Sequence, residues 1–161
     1  MMQYSQEQLK LFMQAAIGEA HKAATMGEVP IGCVVVDDGV IIGRGHNLRE
    51  SSHDVTAHAE ICAIQQANQQ KKKDWRLENC SLFVTLEPCP MCAGAIVNAR
   101  LKSVYYGCAD KKAGSAGTLM NLLTETRFNH QVEVDKGLCR LECVKLLSDF
   151  FAKIREKTEK D

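Results

Sequence analysis

A run of apolar and β-branched residues from Cys80 to Leu86 leads through Glu87-Pro88-Cys89-Pro90 into a helical pattern carried by Ala93, Ile96 and Val97. A second strand-like run, Ser103 to Gly107, follows within a few residues. Strands alternating with helices place the helix across the sheet and make at least part of that sheet parallel, because a parallel pair needs a crossover and cannot be joined by a tight turn. This stretch commits the chain to a layered α/β architecture.

The flanking segments agree. Ser5 and Gln8 have the spacing of a capping box, and Leu9, Phe12, Met13, Ala16, Ile17, Ala20 and Ala24 recur at helical spacing until Gly27. Gly32 to Val36 and Val40 to Ile42, joined by Asp38-Gly39, read as a hairpin. Thr56 is placed to cap a helix through Ile61, Ile64 and Ala67. Residues 132–134 read as a short strand and 141–154 as a closing amphipathic helix. No repeat or linker interrupts the chain, so residues 1–161 read as one domain. A domain of that length buries roughly 70% of its unfolded surface.

Charge and cysteine usage narrow the class. The chain balances 20 Lys and Arg against 20 Asp and Glu, so polyanion binding has to come from local clusters. No run approaches the roughly 18 apolar residues of a membrane helix, and the first residues lack the order of a signal peptide. A cytoplasmic protein with no membrane partner is expected. There, eight cysteines read as thiols or metal ligands. Cys33 and Cys80 lie in strand-like runs, and Cys139 and Cys143 fall on one helical face. Cys89 and Cys92 stand apart, three residues from each other between prolines and a helix.

With His58 they supply one imidazole and two thiolates, a donor set suited to zinc. Glu60 lies two residues from His58, so the two cannot share a lateral helix face. They share a site if the helix points its N-terminus at the metal, and Pro90 argues the same for Cys89 and Cys92. Three protein ligands leave a fourth tetrahedral position for water, which zinc makes nucleophilic near neutral pH; Glu60 is then the proton shuttle. Two plainer readings stay open. Cys-x-x-Cys is also a redox pattern, and Cys62, four residues after His58, is either a fourth ligand closing a structural site or a packed core thiol.

His-x-Glu followed by Pro-Cys-x-x-Cys is the known signature of zinc nucleobase deaminases. The run Thr85-Leu86-Glu87-Pro88-Cys89-Pro90-Met91-Cys92-Ala93-Gly94-Ala95-Ile96 resembles that of the bacterial tRNA-specific adenosine deaminases, in the cytidine/deoxycytidylate deaminase superfamily. Pro30-Ile31-Gly32, Gly45-His46-Asn47, residues 113–119, Phe128-Asn129-His130 and Ser148-Asp149-Phe150-Phe151 extend the likeness almost end to end. Extra length at Lys71-Lys72-Lys73-Asp74 and a short tail after Arg155 depart from it.

The resemblance implies a three-layer α/β/α sandwich, cytidine-deaminase-like, with a five-stranded mixed sheet. It implies a homodimer with one Zn2+ per subunit, held by His58, Cys89 and Cys92, with Glu60 catalytic. The implied reaction is hydrolytic deamination of adenosine to inosine at the wobble position of an arginine tRNA, read in its anticodon stem-loop. A deaminase of free guanine or cytidine is the alternative.

For the substrate pocket the resemblance places Asn47 against the base edge, where an amide both donates and accepts; the plainer role is a turn residue. Ile31, Val55 and Leu86 are suitable apolar walls or ordinary core. Arg100, Lys102, Lys111 and Lys112 against Asp110 give residues 100–112 a net charge of plus three. Asp110-Lys111-Lys112 is the leading candidate for phosphate and ribose contact, ahead of Arg44, Arg49, Lys153 and Arg155.

Overall fold

A computed structural model describes residues 3–72 and 74–160. Helix α1 (Gln6–Thr25) opens on the expected capping box: Ser5 Oγ accepts from the Gln8 amide at 3.2 Å, and Gln8 Oε1 accepts from the Ser5 amide at 2.9 Å. Strands β1 (Gly32–Asp37) and β2 (Val40–His46) form the hairpin, with Asp38 and Gly39 at φ 47° and 79°. Two successive left-handed residues make the mirror-image turn whose twist matches the strands.

The next stretch differs from the sequence reading in two ways. A four-residue helix, α2 (Arg49–Ser52), precedes α3 (Ala59–Lys71), and the cap of α3 is His58, not Thr56. The Thr56 amide and hydroxyl both donate to Asp54 Oδ1, at 2.8 and 2.7 Å, so Thr56 is spent in a turn made by an aspartate that helical spacing did not bring into play. Lys72 ends α3 in a left-handed conformation, and Lys73, part of the lysine run, lies outside the described residues.

Strand β3 (Cys80–Leu86), α4 (Pro90–Asn98) and β4 (Ser103–Cys108) form the expected parallel crossover, followed by β5 (Glu133–Lys136) and α5 (Arg140–Lys160). Cys139 has φ 54° and precedes α5, so it lies just outside the helix, but it packs against the same core as Cys143, the side expected of both. The helix begins one residue after Cys139, and the Cys139 carbonyl accepts from the Cys143 amide at 3.1 Å.

The sheet runs β2-β1-β3-β4-β5, antiparallel across its first two pairs and parallel across its last two. Alternation along each strand sorts side chains between two cores. Cys33, Val35, Leu82, Val84, Val104 and Tyr106 face Ala59, Ala63, Ala67, Ala93 and Ile96 of α3 and α4. Val34, Val36, Phe83 and Tyr105 face Phe12, Met13 and Ala16 of α1 and Cys143 of α5. On that second face Phe83 stacks on Tyr105 with ring centroids 4.7 Å apart. The result is the three-layer sandwich with its five-stranded mixed sheet.

Register then fixes one end of the sheet as the place for chemistry. Cys33, at the start of β1, pairs with Val84 near the end of β3, and Leu86 pairs with Cys108 at the end of β4. The C-terminal ends of β2, β3 and β4 therefore meet the start of β1, and α4 begins there. Helix α3 is seated on β2 with almost no clearance: a Cβ on Gly45 would lie 2.3 Å from the Ala59 carbonyl oxygen.

Candidate active site

His58 and Cys89 occupy the N-cap positions of α3 and α4, both with extended backbone. They turn toward each other. His58 Nδ1 lies 3.6 Å from Cys89 Sγ and 3.5 Å from Cys92 Sγ. A tetrahedral ion with Zn–N of ~2.0 Å and Zn–S of ~2.3 Å holds its nitrogen and sulfur ligands ~3.5 Å apart. Both nitrogen–sulfur spacings therefore match a zinc ion, and the three residues, with ligand atoms all within 4.8 Å of one another, are the one cluster of three or more His, Cys, Asp or Glu side chains with this closeness among the described residues. Cys62 is not in it. Its Cβ would lie 2.8 Å from a Cβ on Gly45, so it faces β2, and the closed four-ligand site has no support in the geometry.

Electrostatics at the cluster favour a cation. A hydrogen bond from Cys92 holds the Cys89 thiol down at about 4, with a further bond to His58. The same bond, with burial, pushes Cys92 far up, and the Cys89 thiolate raises His58. One thiolate is thus preformed, and a bound cation completes the set by displacing the Cys92 proton. The partial positive charge at the N-terminus of each helix stabilises the thiolate form of these ligands. Glu60, in the first turn of α3, is 4% exposed, and burial pushes its carboxyl up to about 7, reinforced by the Cys89 charge. A carboxyl poised near neutrality can both take and give a proton.

His58, Glu60 and Cys89 form the floor of a cavity of about 540 Å³, with Cys92 buried beneath it. Val29, Ile31, Asn47 and Arg49 line one wall, Leu86 and residues 109–113 the opposite one, and Leu147 and Phe151 of α5 reach in beside them. Ile31, Leu86, Asp110, Lys111 and Lys112 are thereby brought together with the metal cluster. Val55 is not: it is 71% exposed and lies outside the cavity lining, because the Asp54 turn carries it away. The plus-three stretch is also divided. Strand β4 separates Arg100 and Lys102, at its start, from Lys111 and Lys112 beyond its end, a span of roughly 20 Å for six residues. Only the second pair borders the cavity; Arg100 instead sits 5.8 Å from the Trp75 ring.

Asn47 serves its loop as well as the cavity. Its Oδ1 accepts from the Arg49 amide at 3.1 Å and its Nδ2 donates to the Val29 carbonyl at 3.4 Å. One N–H and one lone pair of the amide stay available. The sequence reading missed three buried glutamates that hold the walls. Glu28 accepts from the amides of Glu50 and Ser51 at 3.1 and 2.6 Å, fixing α2. Glu19 meets His46 Nδ1 at 3.1 Å, next to Asn47. Glu87 accepts from the amides of Asp110, Ala116 and Thr118 at 3.0 to 3.1 Å. The one signal available was an acid lodged between Leu86 and Pro88, where an apolar residue would continue the strand.

A family model of MafB19-like deaminases matches residues 6–155. The chain is 53% identical over 148 residues to a tRNA-specific adenosine deaminase of Bacillus subtilis (strain 168), covering 92% of this chain and 91% of the relative. It is 48% identical over 156 residues to a protein of the same name from Streptococcus pyogenes serotype M18, covering 97% and 98%. A solved structure from work on A-to-I editing by tRNA:A34 deaminases superposes with a TM-score of 0.81 at 41% identity, over 85% of this chain and 99% of that one. A guanine deaminase from Bacillus subtilis superposes at 0.60 and 40% identity, over 67% and 69%.

Proposed function

Because the chain belongs to the tRNA-specific adenosine deaminases, within the cytidine-deaminase-like superfamily, we propose that it hydrolyses the wobble adenosine, position 34, of an arginine tRNA to inosine. The observation that carries this reading is a buried carboxyl beside a zinc-spaced His-Cys-Cys triad on the floor of a cavity large enough for a purine.

One Zn2+ per subunit, held by His58, Cys89 and Cys92, would lower the pKa of a water toward neutrality. Deamination adds the oxygen of one water to the purine carbon bearing the exocyclic amine and releases that amine as ammonia. Glu60 takes the proton from water, passes it to the adjacent ring nitrogen, and delivers a proton to the departing amine. A base inside RNA has to leave its stack to reach this floor. Ile31 and Leu86 then flank the ring, and the spare N–H and lone pair of Asn47 read its edge. Asp110 accepts from a ribose hydroxyl, the group that marks RNA, while Lys111 and Lys112 meet the phosphates of the anticodon stem-loop.

The same reading has two copies pairing as a homodimer in the cytoplasm. Gly94, on α4, has no heavy atom within 4 Å of where a Cβ would stand, so that face is open to close approach. Among the described residues no helix is long and apolar enough to cross a membrane. The test is to incubate the protein with tRNA, free adenosine, guanine and cytidine and to assay inosine and ammonia. Inosine from tRNA alone is the expected result. Ammonia from guanine or cytidine would move the chain to the free-base deaminases.

A further inference from the structure

Besides Glu60, three carboxylates are buried among the described residues, Glu19, Glu28 and Glu87, and the proton chemistry uses none of them. Glu87 has the most completely built surroundings. Its own amide donates to the Cys108 carbonyl at 2.9 Å, carrying the β3–β4 ladder one step past the strand ends. Its side chain is 2% exposed. Oε1 accepts from the Asp110 amide at 3.1 Å and from the Thr118 hydroxyl, and Oε2 accepts from the Ala116 and Thr118 amides at 3.0 and 3.1 Å.

Those donors come from both ends of one loop, which is tightened further from within. The Asp110 carbonyl accepts from the Gly114 amide at 2.9 Å, and Asp110 Oδ1 accepts from the amides of Lys112 and Ala113 at 2.9 and 3.2 Å. A Cβ on Gly114 would fall 2.6 Å from Glu87 Cδ, so the carboxylate fills space that only glycine leaves. Burial opposes the charge of Glu87, but the hydrogen bonds from Thr118, Asp110 and Ala116 outweigh it and hold the carboxyl below its ordinary value. Two residues further along the chain comes Cys89.

We propose that Glu87 is a positioning residue for RNA binding: its carboxylate seats the Asp110-Lys111-Lys112 wall over the cavity from the same segment that supplies a metal ligand. This rests on the reading of the chain as an RNA deaminase. Glu87 touches neither the base nor the metal cluster; it acts through the loop it holds.

Glu87→Gln separates its roles. With the glutamine oxygen set toward the Ala116 and Thr118 amides, the new NH2 group faces the Thr118 hydroxyl, which can turn to accept, and the Asp110 amide, which cannot. One anchor is lost, the one at Asp110. The expected result is a KM for an anticodon stem-loop RNA raised about tenfold, from a lost hydrogen bond to a charged group. Zinc content stays at one per chain, kcat changes little, and KM depends less steeply on salt because Lys111 and Lys112 are no longer seated. Thr118→Ala removes a bond to the same carboxylate but spares the Asp110 anchor, so it lowers thermal stability and leaves KM alone.

A Lys111→Ala/Lys112→Ala pair, on exposed positions that do not threaten folding, should raise KM by itself, and adding Glu87→Gln to it should raise KM little further. Wild-type KM in either Glu87→Gln or the lysine pair, or fully additive effects, would overturn the proposal. A wild-type protein that makes no inosine from RNA would instead remove the functional reading beneath it.

Discussion

Replacing Gly45 by alanine asks whether the proposed catalytic groups depend on how closely α3 lies on β2. The new Cβ would stand 2.3 Å from the Ala59 carbonyl oxygen, 2.6 Å from the Ala63 amide nitrogen and 2.8 Å from Cys62 Cβ. Carbon and oxygen rest comfortably at ~3.3 Å, so the first turn of α3 has to retreat by about 1 Å. That turn holds His58 on one side of Ala59 and Glu60 on the other. Overpacking of this kind costs about 1–3 kcal/mol, which lowers Tm by roughly 3–10 °C for a chain of this size. A displacement of ~1 Å at the reacting groups costs on the order of 100-fold in rate.

The assay is kcat/KM on stem-loop RNA well below both melting temperatures, with zinc measured in the same samples. Gly43→Ala is the comparison. Its Cβ would fall 2.2 Å from the Ala63 carbonyl oxygen and 3.0 Å from Ala67 Cβ, pressing on the middle of α3 and not its first turn. It should lose similar stability and much less activity. If Gly45→Ala melts lower as expected yet keeps wild-type kcat/KM, then the seating of α3 does not position His58 and Glu60, and the reasoning fails.

Other outcomes follow from the same geometry. Glu60→Ala should retain one zinc per chain and lose at least ~100-fold in kcat, read by inosine formation; near-normal turnover would remove Glu60 as proton carrier. Stripping the metal with a chelator should abolish activity and expose one fast-alkylating thiol at Cys89, held at about 4, while burial keeps Cys33, Cys80, Cys108 and Cys143 slow; mass spectrometry of the labelled peptides identifies the site. Glu28 is raised by burial but lowered further by its bonds from Ser51 and Glu50, so its folded value lies below the ordinary 4.5. Its contribution to stability is therefore complete above that value and fades as pH falls through the folded one. Glu28→Gln should lose stability at pH 7 and show a shallower acid limb in denaturant titrations from about pH 6 to 3.

What could be read from the sequence was whatever had a local cause. Asp38-Gly39 specifies its turn by two left-handed residues, Ser5 and Gln8 close a box across one turn, and Pro90 fits only the start of a helix. His58, Glu60, Cys89 and Cys92 could be singled out because their chemistry and spacing are uncommon together. Thr56 misled because capping preference carries no knowledge of Asp54, two residues away, which claims the same hydroxyl. Residues 100–112 misled because a count of charges along a sequence ignores that a strand carries its two ends apart. Glu87 and Glu28 were silent because their partners are backbone amides 22 to 31 positions away, and amides leave no mark in a sequence.

That last property has a consequence for how such a fold can be varied. Glu28 and Glu87 grip the walls of the cavity chiefly through main-chain N–H groups, which every residue except proline carries. Among the described residues the Ser51 and Thr118 hydroxyls add side-chain contacts at Glu28 and Glu87, and Glu19 holds the His46 ring. Scaffold and proposed recognition surface are thus decoupled: Arg49, Lys111 and Lys112 can be exchanged for other residues while the loops that bear them keep their shape. A library that randomises these three positions, omits proline and leaves Glu28 and Glu87 untouched should remain largely folded. The catalytic floor would then be a fixed component and its substrate range an adjustable one.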